Sequence, residues 1–214
     1  LSIATALGID KVDNQYRVTV QILNPGEIAG KEVTTRTSVN TYTETGDVLI
    51  EAIRKSTTTI PRRTYLSHLR IVVFGEDYAR DGIAGALDFL SRDHEMRTDF
   101  FLGVAKDHTA EDILKVLTPL EKIPANKMWG MIKTSEDIWA GVSSVNIDEL
   151  VFAMNSKGKE AYITGLRMTG DPLTGSKLPN IEETFPSTRI WTHHLGVFKG
   201  DALIGWLTEE QTKT

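Results

Sequence analysis

The sequence predicts an α+β protein: mixed β-sheets flanked by helices, arranged as two small domains, residues 1–140 and 141–214. Three observations carry that expectation. Residues 1–110 alternate between stretches with a period of two and stretches with helical spacing. Two short runs, 69–74 and 100–105, are apolar on nearly both faces, the pattern of strands covered on two sides. After two helical segments the chain returns to strands, and its composition shifts near residues 140–145. At 214 residues, 40% hydrophobic and 25% charged, it is long and apolar enough to bury a substantial core, which excludes disordered and low-complexity classes.

In chain order, residues 2–9 and 15–23 read as strands around a turn at Asp13-Asn14, an antiparallel hairpin stopped by Asn24-Pro25-Gly26. Residues 33–45 set Val33, Thr35, Thr37, Val39, Thr41 and Thr43 on one face, with Arg36, Ser38, Asn40, Tyr42 and Glu44 on the other. This is a half-exposed strand near a sheet edge. Thr45 is the expected N-cap of a helix bearing Val48, Leu49, Ala52 and Ile53, ending before Pro61. The central strand 69–74 is punctuated by Gly75, and Ile83, Ala86, Leu87 and Leu90 follow at helical spacing. After the strand 100–105, Thr109 and Asp112 open a helix through Leu117, with Glu111 and Lys115 paired on its exposed side. Pro124 starts a second helical piece with Met128, Trp129, Ile132 and Trp139 on its apolar face. Asn146 caps a third, carrying Ile147, Leu150, Val151 and Met154 and closed by Gly158. Strands are expected at 161–169, 189–198 and 202–207, the last two joined tightly at Gly200-Asp201. Residues 170–186 read as a long polar loop.

Composition excludes several functions. A net charge of −5, from 24 basic and 29 acidic residues, leaves no basic face for nucleic acid. The absence of cysteine removes disulfides, thiolate nucleophiles and zinc–thiolate centres together. The longest uncharged apolar run, residues 100–105, is far short of the ~20 needed to cross a bilayer. The segment Gly170 to Lys177 superficially resembles a phosphate loop. It has Ser176 before Lys177, Pro172 within it, and Leu178-Pro179 where a helix should begin, so a solvated loop is expected. His193 and His194 are adjacent in a predicted strand and point to opposite faces, unable to share an ion without a bulge. His94 falls in a helix-ending turn, and His108 reads as a surface residue. His68 reads as a structural group donating to a backbone carbonyl. Ser156 and Lys159 fit an SxxK pattern at a helix end, and Glu76-Asp77 and Glu111-Asp112 suit helix starts. The four tryptophans, 129, 139, 191 and 206, are expected in the core rather than in a sugar platform. No residue is assigned as catalytic, cofactor-binding or metal-ligating. An enzyme using carboxylates such as Asp10 or Asp93 ranks last among the readings.

Several segments together are similar to one family. They are Ala6-Leu7-Gly8-Ile9-Asp10, Thr43-Glu44-Thr45-Gly46, Glu51-Ala52-Ile53-Arg54 and Ser67-His68-Leu69-Arg70-Ile71-Val72-Val73-Phe74-Gly75. Further along come Ala79-Arg80-Asp81-Gly82-Ile83, Phe89-Leu90-Ser91-Arg92-Asp93, Arg97, Ala105-Lys106 and Gly205-Trp206-Leu207. In this order they resemble the N-terminal region of the Ger(x)C spore germination proteins, the lipoprotein C subunits of nutrient germinant receptors. His94 departs from the family, which commonly has proline after Arg-Asp. The resemblance implies a secretory signal and a lipidated (palmitoylated) cysteine upstream of Leu1, and a further C-terminal domain. It implies a place on the outer face of the spore inner membrane, held by lipid and partnered by membrane-embedded A and B subunits. It implies mixed α and β domains of unusual topology, no enzymatic activity and no cofactor. A noncatalytic receptor subunit is therefore the first expectation; its partner surface is not assigned, since the strand 33–45 could pair edge-on with a partner but reads rather as an edge blunted by polar residues such as Arg36 and Glu44. A module binding the germinant directly, through loop 170–186 with Trp191 and Trp206, is the alternative.

Overall fold

The computed structural model describes residues 2–29, 36–93 and 96–212. Among them the strands are β1 (Ser2–Val12), β2 (Gln15–Leu23), β3 (Val39–Gly46), β4 (Thr64–Tyr65), β5 (Ile71–Gly75), β6 (Phe101–Ala105), β7 (Ala161–Thr169), β8 (Arg189–Lys199) and β9 (Ala202–Trp206). The helices are α1 (Pro25–Ala29), α2 (Leu49–Thr59), α3 (Glu76–Asp81), α4 (Ala84–Arg92), α5 (Ala110–Lys115), α6 (Pro124–Trp139), α7 (Ile147–Asn155), α8 (Pro172–Gly175), α9 (Pro179–Glu182) and α10 (Glu209–Thr212). The α+β class is as the sequence predicts.

All nine strands join one sheet, ordered β3-β2-β1-β5-β6-β7-β8-β9, with β4 against the start of β1. β1, β5, β6 and β7 are mutually parallel, and an antiparallel pair extends each flank. The parallel centre explains the runs that read as apolar on both faces. Val72, Phe74, Leu102 and Val104 face one core with Leu7, Ile9, Ile163 and Phe198, beneath residues of α2, α3, α4 and α7. Ile71, Val73 and Ala105 face a second core with Ala6, Leu166 and Met168, beneath α5 and α6. The sheet runs through position 140. β6 pairs with β7 through Gly103, Val104 and Ala105, and the larger core draws residues from both sides of that position.

Local sequence accounts for most boundaries. β1 and β2 turn at Asp13 and Asn14, both at positive φ (49° and 63°), a conformation that Asp and Asn tolerate and that two-residue hairpins require. Thr109 accepts from Asp112 N–H at 3.0 Å, although α5 stops at Lys115 rather than Leu117. Asn146 and Glu149 close a reciprocal capping box on α7.

Three expectations are corrected. The predicted strand 33–45 is described only from Val39, residues 30–35 lying outside the described range, and it continues to Gly46 opposite Tyr16. Thr45 therefore pairs with Arg17 instead of capping a helix. α2 starts at Leu49, where the Glu51 carboxylate accepts from Asp47 N–H at 2.9 Å in place of a capping hydroxyl. Residues 170–186 hold two helical turns, α8 and α9, each with proline in its first turn, where a missing N–H costs nothing.

Candidate functional site

Parallel sheets gather chemistry at the carboxyl ends of their strands, and here β1, β5, β6 and β7 deliver Asp10, Gly75, Ala105 and Arg167 to that end. Asp10 is buried, and its two carboxylate oxygens accept from Ala110 N–H (2.7 Å) and Glu111 N–H (3.0 Å) at the start of α5. Burial pushes its pKa up to about 6; the two amides and Arg17 pull down, and Glu111 adds to the rise. A Cβ on Gly75 would stand 2.1 Å from Asp10 Oδ1, so only glycine lets β5 pass the carboxylate. Glu111 is held by Lys115 (2.5 Å), Arg17 (3.1 Å) and the Thr43 hydroxyl (3.2 Å). Burial raises the Glu111 pKa, but these partners and their charges outweigh it and leave it below the usual range. Asp10 is thus a helix cap that ties β1 to α5. Asp93, the other carboxylate considered, follows α4 and lines a separate groove of roughly 580 Å³ with Tyr16, Tyr78 and Phe89.

The histidine pair is the largest departure from the sequence reading. Thr164 pairs with Leu195 and Leu166 with Thr192, so Gly165 alone stands opposite two residues, His193 and His194. This bulge resets the alternation and brings both imidazoles to one face. The rings stack with centroids 4.0 Å apart at 28°. His193 lies 6.3 Å from the Trp206 ring. Trp206 lies over Gly165 and Gly196, where a Cβ would come within 2.6 Å and 3.2 Å of an indole carbon. Its Nε1 donates to Glu76 Oε1 at 3.0 Å, and the Lys106 ammonium sits 5.1 Å from the ring centroid. Glu76 also accepts from Asp107 N–H (3.0 Å) and pairs with Arg80 (2.6 Å), while Asp107 pairs with Arg167 (3.2 Å). A glycine inside each of β7 and β8 was the sequence signal for this close approach.

Other predicted residues separate. His68 rests against Tyr65, centroids 6.1 Å apart, and makes no hydrogen bond among the described residues. His108, expected to be solvated, takes the carbonyl contact instead, its Nε2 lying 2.9 Å from Met168 O. His94 lies outside the described residues. Ser156 Oγ donates to Phe152 O at 2.7 Å, a helix-end contact. None of the four tryptophans is in the core. Trp129 stacks on Phe101 (5.3 Å, 7°), Trp206 is half-buried, and Trp139 and Trp191 are exposed. The segment 170–177 has no phosphate-loop geometry, since Asp171 caps α8 by accepting from Leu173 N–H (3.2 Å). Among the described residues, no three His, Asp or Glu side chains gather to hold a metal, and no helix is long and apolar enough to cross a membrane.

β3 is the outer strand on its side of the sheet, and no described strand pairs with its far edge. Its ladder with β2 runs eight pairs without a shift, whereas the β1–β2, β7–β8 and β8–β9 ladders are each interrupted. A hollow of roughly 400 Å³ runs beside it, lined by Val39, Thr41, Leu114, Leu117 and Leu173.

The family described as the spore germination protein N-terminal domain matches residues 1–168 of this chain. The chain belongs to that family. Spore germination protein KC of Bacillus subtilis (strain 168) is 34% identical over 219 residues, covering 99% of this chain and 54% of KC. Putative spore germination protein YfkR of the same strain is 33% identical over 146 residues, covering 65% of this chain and 38% of YfkR. The chain therefore spans about half, or less, of the length of these germination-protein relatives. No solved structure gives a significant match. Of the segments that carried the resemblance, the first lies in β1 and the fourth runs through β5, while residues 51–54, 79–81 and 89–92 lie in α2, α3 and α4. Asp10 ends the first quoted segment and Gly75 the fourth, the two residues packed so closely that a Cβ on Gly75 would stand 2.1 Å from Asp10 Oδ1.

Proposed function

We propose that this chain forms the N-terminal part of a noncatalytic lipoprotein subunit of a spore nutrient germinant receptor. It assembles there with membrane-embedded A and B subunits on the outer face of the spore inner membrane, held by a lipid upstream of Leu1. The observation that carries this reading is the similarity to spore germination protein KC along 99% of the chain. Asp10 and Glu111, the carboxylates nearest the strand ends, serve as helix cap and ion-pair anchor. The β3 edge offers eight residues of unshifted ladder for strand addition by a partner. Affinity isolation of the tagged protein from dormant-spore membranes is expected to recover two polytopic partners. Tyr42→Ala in β3, with Arg36→Glu three residues before the strand, is expected to reduce that recovery. Isolation of the unmodified protein without membrane partners would refute the assembly reading, and undiminished recovery by the variant would refute the edge as its surface. A second reading, a module that binds the small-molecule germinant itself, is favoured by the Trp206 corner, whose side chains are polar, aromatic and reached by solvent.

A further inference from the structure

The corner at the carboxyl ends of β6 and β7 has features that packing does not require. A bulge costs ladder hydrogen bonds, and this one puts two imidazoles side by side where a regular strand would send one to the opposite face. Gly165 and Gly196 clear the sheet surface so that Trp206 lies on it, and Glu76 fixes the indole through Nε1. None of Lys106, Arg167, His193, His194 and Trp206 is buried in a core.

Charge gives the corner its sign. Glu76 is matched by Arg80 and Asp107 by Arg167, which leaves Lys106 with no carboxylate partner among the described residues. A chain of net charge −5 therefore carries a local positive excess here. His193 feels it: burial first, then His194, Lys106 and Arg167, push its pKa down to about 4, with Asp107 opposing. At neutral pH its imidazole is uncharged, with room in its electrostatic surroundings for a negative partner.

We propose that this corner is a binding site for a small oxyanion, a carboxylate or phosphate group, seated between the Lys106 ammonium and the His193–His194 pair beside the Trp206 indole. Lys106 supplies the unmatched charge, and the imidazoles supply directional donors. The groups facing His193 are His194 on its own strand, Lys106 and Asp107 after β6, and Arg167 on β7, with Glu76 reaching the corner from α3 through Trp206. A bound anion offsets the cations among them, so binding draws a proton onto His193 and strengthens as pH falls. This site rests on the small-molecule reading and is independent of receptor assembly.

The test is a titration of the intact chain, labelled at histidine Cε1 and tryptophan Nε1, with sodium acetate and separately with sodium phosphate. Sodium chloride holds the ionic strength constant. Shifts of His193, His194 and Trp206 that saturate with either salt, together with a rise in the His193 titration midpoint, are expected. Saturation by acetate alone identifies a carboxylate site, and saturation by phosphate alone identifies a phosphate site. Lys106→Gln, a surface change that leaves the core untouched, is expected to abolish saturation, while Lys133→Gln on α6 leaves it intact. Shifts that are linear and equal to those in chloride, or saturation unchanged by Lys106→Gln, overturn the proposal. The assembly reading fails or survives separately, by the membrane isolation.

Discussion

A carboxylate that accepts two backbone N–H groups ordinarily titrates low, yet burial holds Asp10 at about 6. The folded protein therefore binds the Asp10 proton more tightly than the unfolded chain does, whose value is near 3.8. Stability contributed by this group is present in full below the unfolded value and is lost as pH rises to about 6, by about 3 kcal/mol in all. Asp10→Asn has no proton to exchange. The stability difference between the natural protein and this variant, from urea unfolding at pH 4 and pH 7, is expected to favour the natural protein by about 2 kcal/mol more at pH 4, which lies just above the unfolded value and so holds most of the effect. A difference independent of pH would mean that folding leaves the Asp10 pKa at its unfolded value. The same contact makes Gly75 intolerant: Gly75→Ala, with its Cβ 2.1 Å from Oδ1, is expected to cost about 1–3 kcal/mol through displacement of the cap. Gly85→Ala on α4 meets nothing within 4 Å and is expected to cost nothing. Equal melting temperatures for the two variants would count against the close approach.

Among the elements, the segment between β7 and β8 depends on one side chain. Buried Asn180 donates to Leu117 O and Thr188 O (both 3.0 Å) and accepts from Thr188 N–H (2.9 Å) and Ser187 Oγ (3.3 Å). Asn180→Leu keeps the volume but strands two carbonyls and an amide, and is expected to cost about 3 kcal/mol. Amide exchange should quicken across residues 170–188 while the β5 and β6 amides keep their protection; exchange unchanged in that segment would show that the staple is dispensable. This part of the fold was illegible in the sequence because an asparagine in a polar stretch looks like any loop residue until Leu117 arrives from 63 positions away. The elements that were legible carry their information locally. The Thr109 cap, the Asn146–Glu149 box and the Asp13-Asn14 turn each involve residues within three positions. Thr45 misled because pairing with Arg17, 28 positions earlier, outweighed its capping preference. The histidine pair misled for the same kind of reason, since a bulge is set by the partner strand as well as by its own.

At the scale of the whole molecule, the arrangement to be tested is the division at 140/141. Contacts across that position are dense: Leu102 N–H donates to Val145 O (2.9 Å), Lys106 N–H to Leu166 O (2.8 Å) and Ile83 N–H to Asp201 O (2.9 Å). Phe198 and Leu203 share a core with Val72 and Leu102. Removing residues 141–214 would expose the edge of β6 and a large apolar face, a loss that the remaining chain has no means to offset. The tryptophans report on each portion separately, Trp129 and Trp139 lying before the division and Trp191 and Trp206 after it. Two variants, Trp129→Phe with Trp139→Phe and Trp191→Phe with Trp206→Phe, leave emission from one portion at a time. Because the two portions share one sheet, both variants are expected to follow urea unfolding in a single transition. Its midpoint should match that of the natural protein's far-ultraviolet circular dichroism once each variant's own stability change is subtracted. Separate midpoints, with Trp191 and Trp206 losing their native emission while Trp129 and Trp139 keep theirs, would make residues 141–214 an independent cooperative unit. The first result places the Trp206 corner and the β3 edge in one cooperative unit, as expected of a single sheet. The second would place the cooperative boundary between β6 and β7.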